Sequence, residues 1–385
     1  GRDEEALGRL EAARSIFVDL GEAVDVARCD HNLGLVLRSA CRYDEALVTL
    51  GRARQAYEGA GMGVEAAMCR HNVGLVLGDL GRFEAAVGAM EEARGVYRAA
   101  GLKRRLADCD FNIGGVLLAA GRPDAAEARV QAAWAAYEAL GLAPHAAAAQ
   151  DALGRVLADL GQFDEAVARH EAAARGFEAA DCPADRAACA VSLGNTLCLA
   201  GRPGEAVACY EEARRLMAAL GDERGVAVCR VNRGFALVDQ GKEAEGHDEA
   251  VAARDVLVAA GDAPAAAQCD WCQGRAALAA GRLEEAKAGF DSARGVLVDR
   301  GPVTDLLRLK VDAARAAARL GDGEGARRNL EEAKAGFEAG GMVAEVARCE
   351  ELAAEMGLTA VPRSSVEDSR QAPGIGDDIA VDLAD

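Results

Sequence analysis

Residues 33–53 read LGLVLRSACRYDEALVTLGRA, and residues 73–93 return the same frame as VGLVLGDLGRFEAAVGAMEEA. The frame recurs at 153–173 (LGRVLADLGQFDEAVARHEAA) and at 193–213 (LGNTLCLAGRPGEAVACYEEA). Outward from this stretch the chain keeps a forty-residue period. Gly34, Gly74, Gly114, Gly154, Gly194, Gly234 and Gly274 share one phase. Cys29, Cys69, Cys109, Cys189, Cys229, Cys269 and Cys349 share a second, and Gly81 to Gly321 a third, with Cys41 in the same slot. A fixed period in this range means stacked supersecondary units, each contacting its neighbours.

Within 21–60 the apolar positions recur at helical spacing, first through Val24, Ala27, Val36 and Leu37, then through Ala46, Leu47, Leu50, Ala53 and Tyr57. Two helices per unit are predicted, with a turn at Cys41-Arg42 and a glycine cap at Gly61. The same cap is expected at Gly101, Gly141, Gly221, Gly261 and Gly301. Gly34 falls inside the first helix, where glycine costs about 1 kcal/mol relative to alanine. A cost repeated in phase implies a helix crossing with no room for a Cβ.

Leu33-Gly34-x-x-Leu37 followed by Ala46, Leu50 and Ala53 resembles the tetratricopeptide repeat. The period of 40 resembles its long-repeat class, seen in Pins-type scaffolds and bacterial regulators. Asp30 stands where the family pattern opens with Trp, and a glycine cap replaces its closing Pro. The resemblance implies an all-α, right-handed superhelical solenoid of antiparallel helix pairs. The expected organisation is a second helix of a truncated repeat over 1–20 and eight repeats over 21–340. A capping helix over 341–358 and a disordered acidic tail over 359–385 complete it.

The formal net charge of −19 argues against nucleic acid and against an anionic membrane, since both partners require a basic surface. The twelve cysteines fall mostly in one phase, and equivalent residues of adjacent units lie about 10 Å apart, too far for disulfides. They read as small buried side chains, and unpaired thiols favour the cytoplasm. Cys269-Asp-Trp-Cys272 lies inside a helical run, without the second ligand pair a zinc site needs. No metal, cofactor or catalytic site is expected. The acidic pairs Asp44-Glu45 and Asp164-Glu165 open second helices, where they suit the helix dipole.

By the resemblance, the first helices line a concave groove that binds an extended peptide segment of another protein. The groove residues it implies are Arg28, His31, Asn32, Arg38, Arg70, His71, Asn72, Phe111 and Asn112. Asn32, Asn72 and Asn112 form a ladder whose amides can hold a peptide backbone or, equally, bridge helices locally. The arginines and histidines tilt the expected partner toward an acidic peptide. A second reading is a sensor or regulatory region of a larger protein, such as a caspase-like (CHAT-type) protease, with its effector elsewhere. The sequence opens partway through a unit, as such a segment would.

Overall fold

The computed structural model describes residues 2–358, which form eighteen α-helices and, among the described residues, no strand. α1 (Arg2–Asp19) precedes a run of helix pairs: α2 (Ala23–Ser39) with α3 (Tyr43–Gly59), and α4 (Gly63–Asp79) with α5 (Phe83–Ala99). Then come α6 (Lys103–Ala119) with α7 (Pro123–Ala139), α8 (Ala143–Asp159) with α9 (Phe163–Ala179), and α10 (Pro183–Leu199) with α11 (Pro203–Ala219). The series continues as α12 (Glu223–Asp239) with α13 (Glu243–Ala259) and α14 (Ala263–Ala279) with α15 (Leu283–Arg300). It ends with α16 (Val303–Arg319), α17 (Gly323–Ala339) and α18 (Val343–Glu355). Each helix packs on the next in a solenoid. The tail expected over 359–385 lies outside the described residues. No described helix is long and apolar enough to cross a membrane.

All but one of the turns are of one kind. At the end of α3, Gly61 N–H bonds Glu58 O and Met62 N–H bonds Tyr57 O, with Gly61 at φ +72°. This doubly bonded, left-handed end satisfies the last carbonyls of the helix. Cys41 adopts the same conformation at φ 57° without being glycine, and so does Asp181 at φ 51°. Gly301 departs from the expected cap: it is extended, at φ −91° and ψ 163°. Pro302 follows it, and proline pushes the preceding residue into the extended region.

The mid-helix glycines are the closest points between the two helices of a pair. A Cβ on Gly34 would stand 2.5 Å from Leu50 Cγ, and one on Gly74 2.6 Å from Met90 Cγ. His170, Tyr210 and Phe290 fill the same slot against Gly154, Gly194 and Gly274. Flanking alanines such as Ala46, Ala53, Ala86 and Ala93 are fully buried, so the backbones approach closely. The slot that the family fills with Trp holds ion pairs here. Asp30 is buried and accepts from Arg14 at 2.7 Å and Arg52 at 3.2 Å; Asp110 does the same from Arg94 at 2.6 Å and Arg129 at 3.0 Å. Each acid thereby ties its own unit to the preceding one.

Beyond neighbour packing, the superhelix meets itself. The turn at Gly121 touches the turn at Gly340-Gly341, more than five units later: a Cβ on Gly121 would lie 2.5 Å from Gly340 Cα. A Cβ on Gly341 would likewise stand too close to Gly121 O, whereas one on Gly340 would meet only its own helix and Met342, none closer than 3.4 Å.

Two neighbouring glycines give opposite predictions. A Cβ on Gly114 would collide with Val130 Cγ2, whereas one on Gly115 meets nothing within 4 Å. Gly114→Ala should therefore destabilise the chain by about 1–3 kcal/mol, and Gly115→Ala should stabilise it by up to about 1 kcal/mol. Urea unfolding of the two variants checks the sign of each. At the turn after α2, Cys41→Gly should add about 0.5–1 kcal/mol by relieving the left-handed residue. It should also remove the fastest-reacting thiol, since Cys41 is exposed while burial pushes thiols such as Cys69 and Cys109 up to about 12.

Candidate functional site

The first helices α2, α4, α6 and α8 bring their groove-facing turns around a cavity of about 480 Å³. His31, His71, Asn72, Phe111 and Asn112 all line it. They are joined in pairs across units. Asn72 Nδ2 donates to His31 Nε2 at 3.2 Å, and Asn112 Nδ2 donates to His71 Nε2 at 2.9 Å. An amide nitrogen only donates, so each Nε2 accepts and the ring proton sits on Nδ1. In His31 that Nδ1 lies 3.3 Å from Cys69 Sγ. In His71, which is buried, Nδ1 has no partner among the described residues, and neither does Nδ1 of His145 on the opposite wall. The pairing occupies one amide hydrogen of each asparagine and leaves its carbonyl oxygen and second N–H unused.

Of the remaining predicted residues, Arg38 belongs to an adjoining pocket that shares Phe111 and Asn112, and it is bound to Asp79 at 2.5 Å. Arg28 pairs with Asp25 on its own helix. Arg70 reaches away from the cavity, to Glu58 of α3 at 2.7 Å and Glu92 of α5 at 3.5 Å. Asn32 is exposed and lies outside the cavity lining. The arginines that suggested a basic groove are thus neutralised by carboxylates.

The groove's positive charge comes from elsewhere. α6 opens with Lys103-Arg104-Arg105, has no acid in its first turn and no side-chain cap. Arg104 and Arg105 line the cavity. Arg104 stands 4.0 Å from Asp108, which also accepts from Tyr137 Oη at 2.9 Å; Arg105 forms no ion pair among the described residues. Burial and then the Arg105 charge push His31 below its usual range. Burial pushes His71 down to about 4, opposed by Asp108 and helped by Arg105. Both imidazoles are therefore neutral at pH 7. Sequence reasoning missed Arg104 and Arg105, although a run of three cations at a helix N-terminus opposes the dipole and is itself a signal.

A second set of polar groups lies under the groove. His170 Nδ1 donates to Asp151 at 2.9 Å, and Thr196 Oγ1 bonds its Nε2 at 3.1 Å. Cys189 Sγ donates to His170 O at 3.2 Å, and ligand atoms of Asp151, His170 and Cys189 lie within 4.8 Å of one another. Such a trio has the right donor types for a metal ion. Here each member is satisfied by another, and burial pushes the Cys189 thiol up, so the set functions as a buried lock between α8, α9 and α10.

Residues 25–99 match a family model described as tetratricopeptide repeat, and residues 186–220 match a second of the same description. The chain carries tetratricopeptide repeats. No curated protein matches this tetratricopeptide chain in sequence. Among solved structures it is similar to a Rap protein complexed with competence and sporulation factor. That match has TM-score 0.58 and 18% identity, over 91% of this chain and 80% of that one. It is also similar to the Rap conjugation gene regulator of plasmid pLS20 in complex with a Phr peptide, with TM-score 0.60, 14% identity and coverage of 90% and 97%. A third is a signal-transduction ATPase with a tetratricopeptide-repeat sensor from Pyrococcus horikoshii, with TM-score 0.54 and 12% identity. There the match covers 87% of this chain and half of that protein. At these identities the likeness is one of fold.

The neutral imidazoles set a pH dependence. The folded-state value of His71 is depressed to about 4 from an ordinary 6.5, so between these values the unfolded chain binds the extra proton. Stability contributed by neutral His71 should be complete above about pH 6.5 and decline as pH falls toward 4, by on the order of 2 kcal/mol at pH 4.5. In urea unfolding at pH 7 and pH 4.5, His71→Gln should show a smaller loss than the wild-type chain.

Proposed function

We propose that this tetratricopeptide chain is a non-catalytic interaction scaffold that holds an extended segment of a partner protein in the groove formed by α2, α4, α6 and α8. The observation that carries the reading is the pair of His–Asn rungs, each with an unused amide oxygen and N–H facing one cavity. An extended backbone offers donors and acceptors in alternation and can be met by such amides without regard to its side chains. Arg104 and Arg105 favour an acidic segment by charge complementarity. That a Rap regulator of similar fold is complexed with a peptide supports the same use of the scaffold. The cytoplasm suits a chain with this many unpaired thiols.

A second reading has its own observation. The fold also matches half of a signal-transduction ATPase whose repeats are described as a sensor. In that reading the groove and its ligand are the same, and binding reports to an effector domain elsewhere in a longer protein.

A display library of linear peptides, selected on the chain, tests the groove. Acidic extended sequences should be enriched. Asn72→Ala with Asn112→Ala should weaken a selected peptide roughly tenfold, from the loss of about two net hydrogen bonds, with helicity retained by circular dichroism. Selected peptides that bind the double variant as tightly as the wild-type chain would place the site elsewhere.

A further inference from the structure

The groove reading calls for an acidic segment, and the chain carries one of its own. Beyond Arg370 the sequence has no Lys or Arg and holds Asp377, Asp378, Asp382 and Asp385, interleaved with Ile375, Ile379, Val381 and Leu383. The cavity offers the complement. Arg104 and Arg105 stand on its wall, Lys103 adjoins them at the uncapped start of α6, and Leu35, Met68 and Phe111 supply apolar surface. In a chain of net charge −19, this is a positive site without bound carboxylates enough to neutralise it, since Asp108 alone faces two arginines.

The closure of the superhelix brings the two together. Gly341 touches Gly121 and Pro123, so the start of α18 lies beside the end of α6. From there Arg105 is one helix length away along α6, and Leu358 one helix length away along α18, about 25 Å each. The nineteen residues from Leu358 to Asp377 span up to about 60 Å when extended. The aspartates can therefore reach Arg105 within one molecule.

We propose that residues 375–385 occupy the basic cavity in cis and act as an intramolecular competitor for the partner segment. The inference rests on the groove reading and gives it a regulation: a partner binds at full strength only once the acidic segment is displaced.

Zero-length carbodiimide cross-linking of the full chain tests it. The reagent joins the Lys103 amine to a carboxylate it already pairs with, losing the carboxylate oxygen to the reagent as a urea. Peptide mapping should find Lys103 joined to Asp377, Asp378 or Asp382 at least tenfold more often than Lys287, which is exposed on α15. The yield should be independent of protein concentration, fall in high salt, and fall tenfold in Arg104→Glu/Arg105→Glu. In a second arm, a synthetic peptide of residues 371–385 should bind the chain ended at Leu358, which retains every described helix, and bind the intact chain at least tenfold more weakly. Asp377→Asn/Asp378→Asn/Asp382→Asn in that peptide should abolish binding. Equal cross-linking of Lys103 and Lys287, a yield that rises with concentration, or equal affinity for the two chain lengths would each overturn the proposal. If these fail while library-selected peptides still bind and still lose affinity in the asparagine variant, the groove reading stands and the tail inference alone falls. If neither binds, both fall.

Discussion

The rest of the structure depends on the close approach of two helices at a glycine. Where Gly34 meets Leu50 or Gly274 meets Phe290, the absence of one Cβ lets a large side chain seal the crossing. The slot tolerates aliphatic, aromatic and even imidazole groups because shape, not chemistry, is what the glycine leaves room for. The unit around α12 and α13 solves the same problem differently. Its large side chain is replaced by Ala250, a second glycine appears at Gly246, and the backbones close up until a Cβ on Gly234 would lie 3.0 Å from Gly246 O. Cys272 Sγ from the next unit fills what remains, 3.1 Å from the same point. The space that a large side chain fills elsewhere is closed here by nearer backbones and a cysteine, as close packing requires.

Much of this was legible in the sequence, because periodicity is written by local rules. Helix ends, left-handed turns and crossing glycines each repeat in phase. The groove was less legible, since its contacts join different phases of neighbouring units. His31 bonds Asn72, and His71 bonds Asn112, in each case 41 residues apart. Taken as separate ladders, the histidines and asparagines say little. Taken as pairs they stop together: Phe111 takes the place of the next histidine and Ala152 that of the next asparagine. The same offset returns where Trp271 Nε1 donates to Asp312 at 2.9 Å. The fate of the arginines was hidden for another reason. Whether Arg70 faces a groove or a carboxylate on α5 depends on side-chain direction, which spacing alone does not fix.

Closure of the superhelix was not legible at all. It arises from the sum of small rotations between units, each below what any local motif encodes. The glycines that make the closest approach, Gly121 and Gly341, occupy turn slots that hold a left-handed glycine in most units, so nothing in their phase sets them apart. Closure also encloses a second cavity of about 510 Å³, where Asp159 and Asn195 face Arg308 and Glu345 across the channel. Arg308 bonds Glu345 at 2.7 Å, and burial raises Asp159 above the usual carboxylate range. Charges so placed resist desolvation unless they are paired.

The start of α6 shows where stability and binding part company. α3 and α9 open with Asp44-Glu45 and Asp164-Glu165, which suit the positive end of a helix dipole. α6 opens with three cations, each unfavourable there by about 0.3–1 kcal/mol. No carboxylate of the second helices reaches over to neutralise Arg105 among the described residues, although Glu58 and Glu92 do this for Arg70. A run placed for stability would have been paired in the same way. Arg105 is left unpaired beside neutral imidazoles, and in the proposed reading an acidic ligand would recover energy that folding leaves unrecovered. That difference, set by one turn of one helix, gives an otherwise acidic solenoid a place where negative charge is attracted.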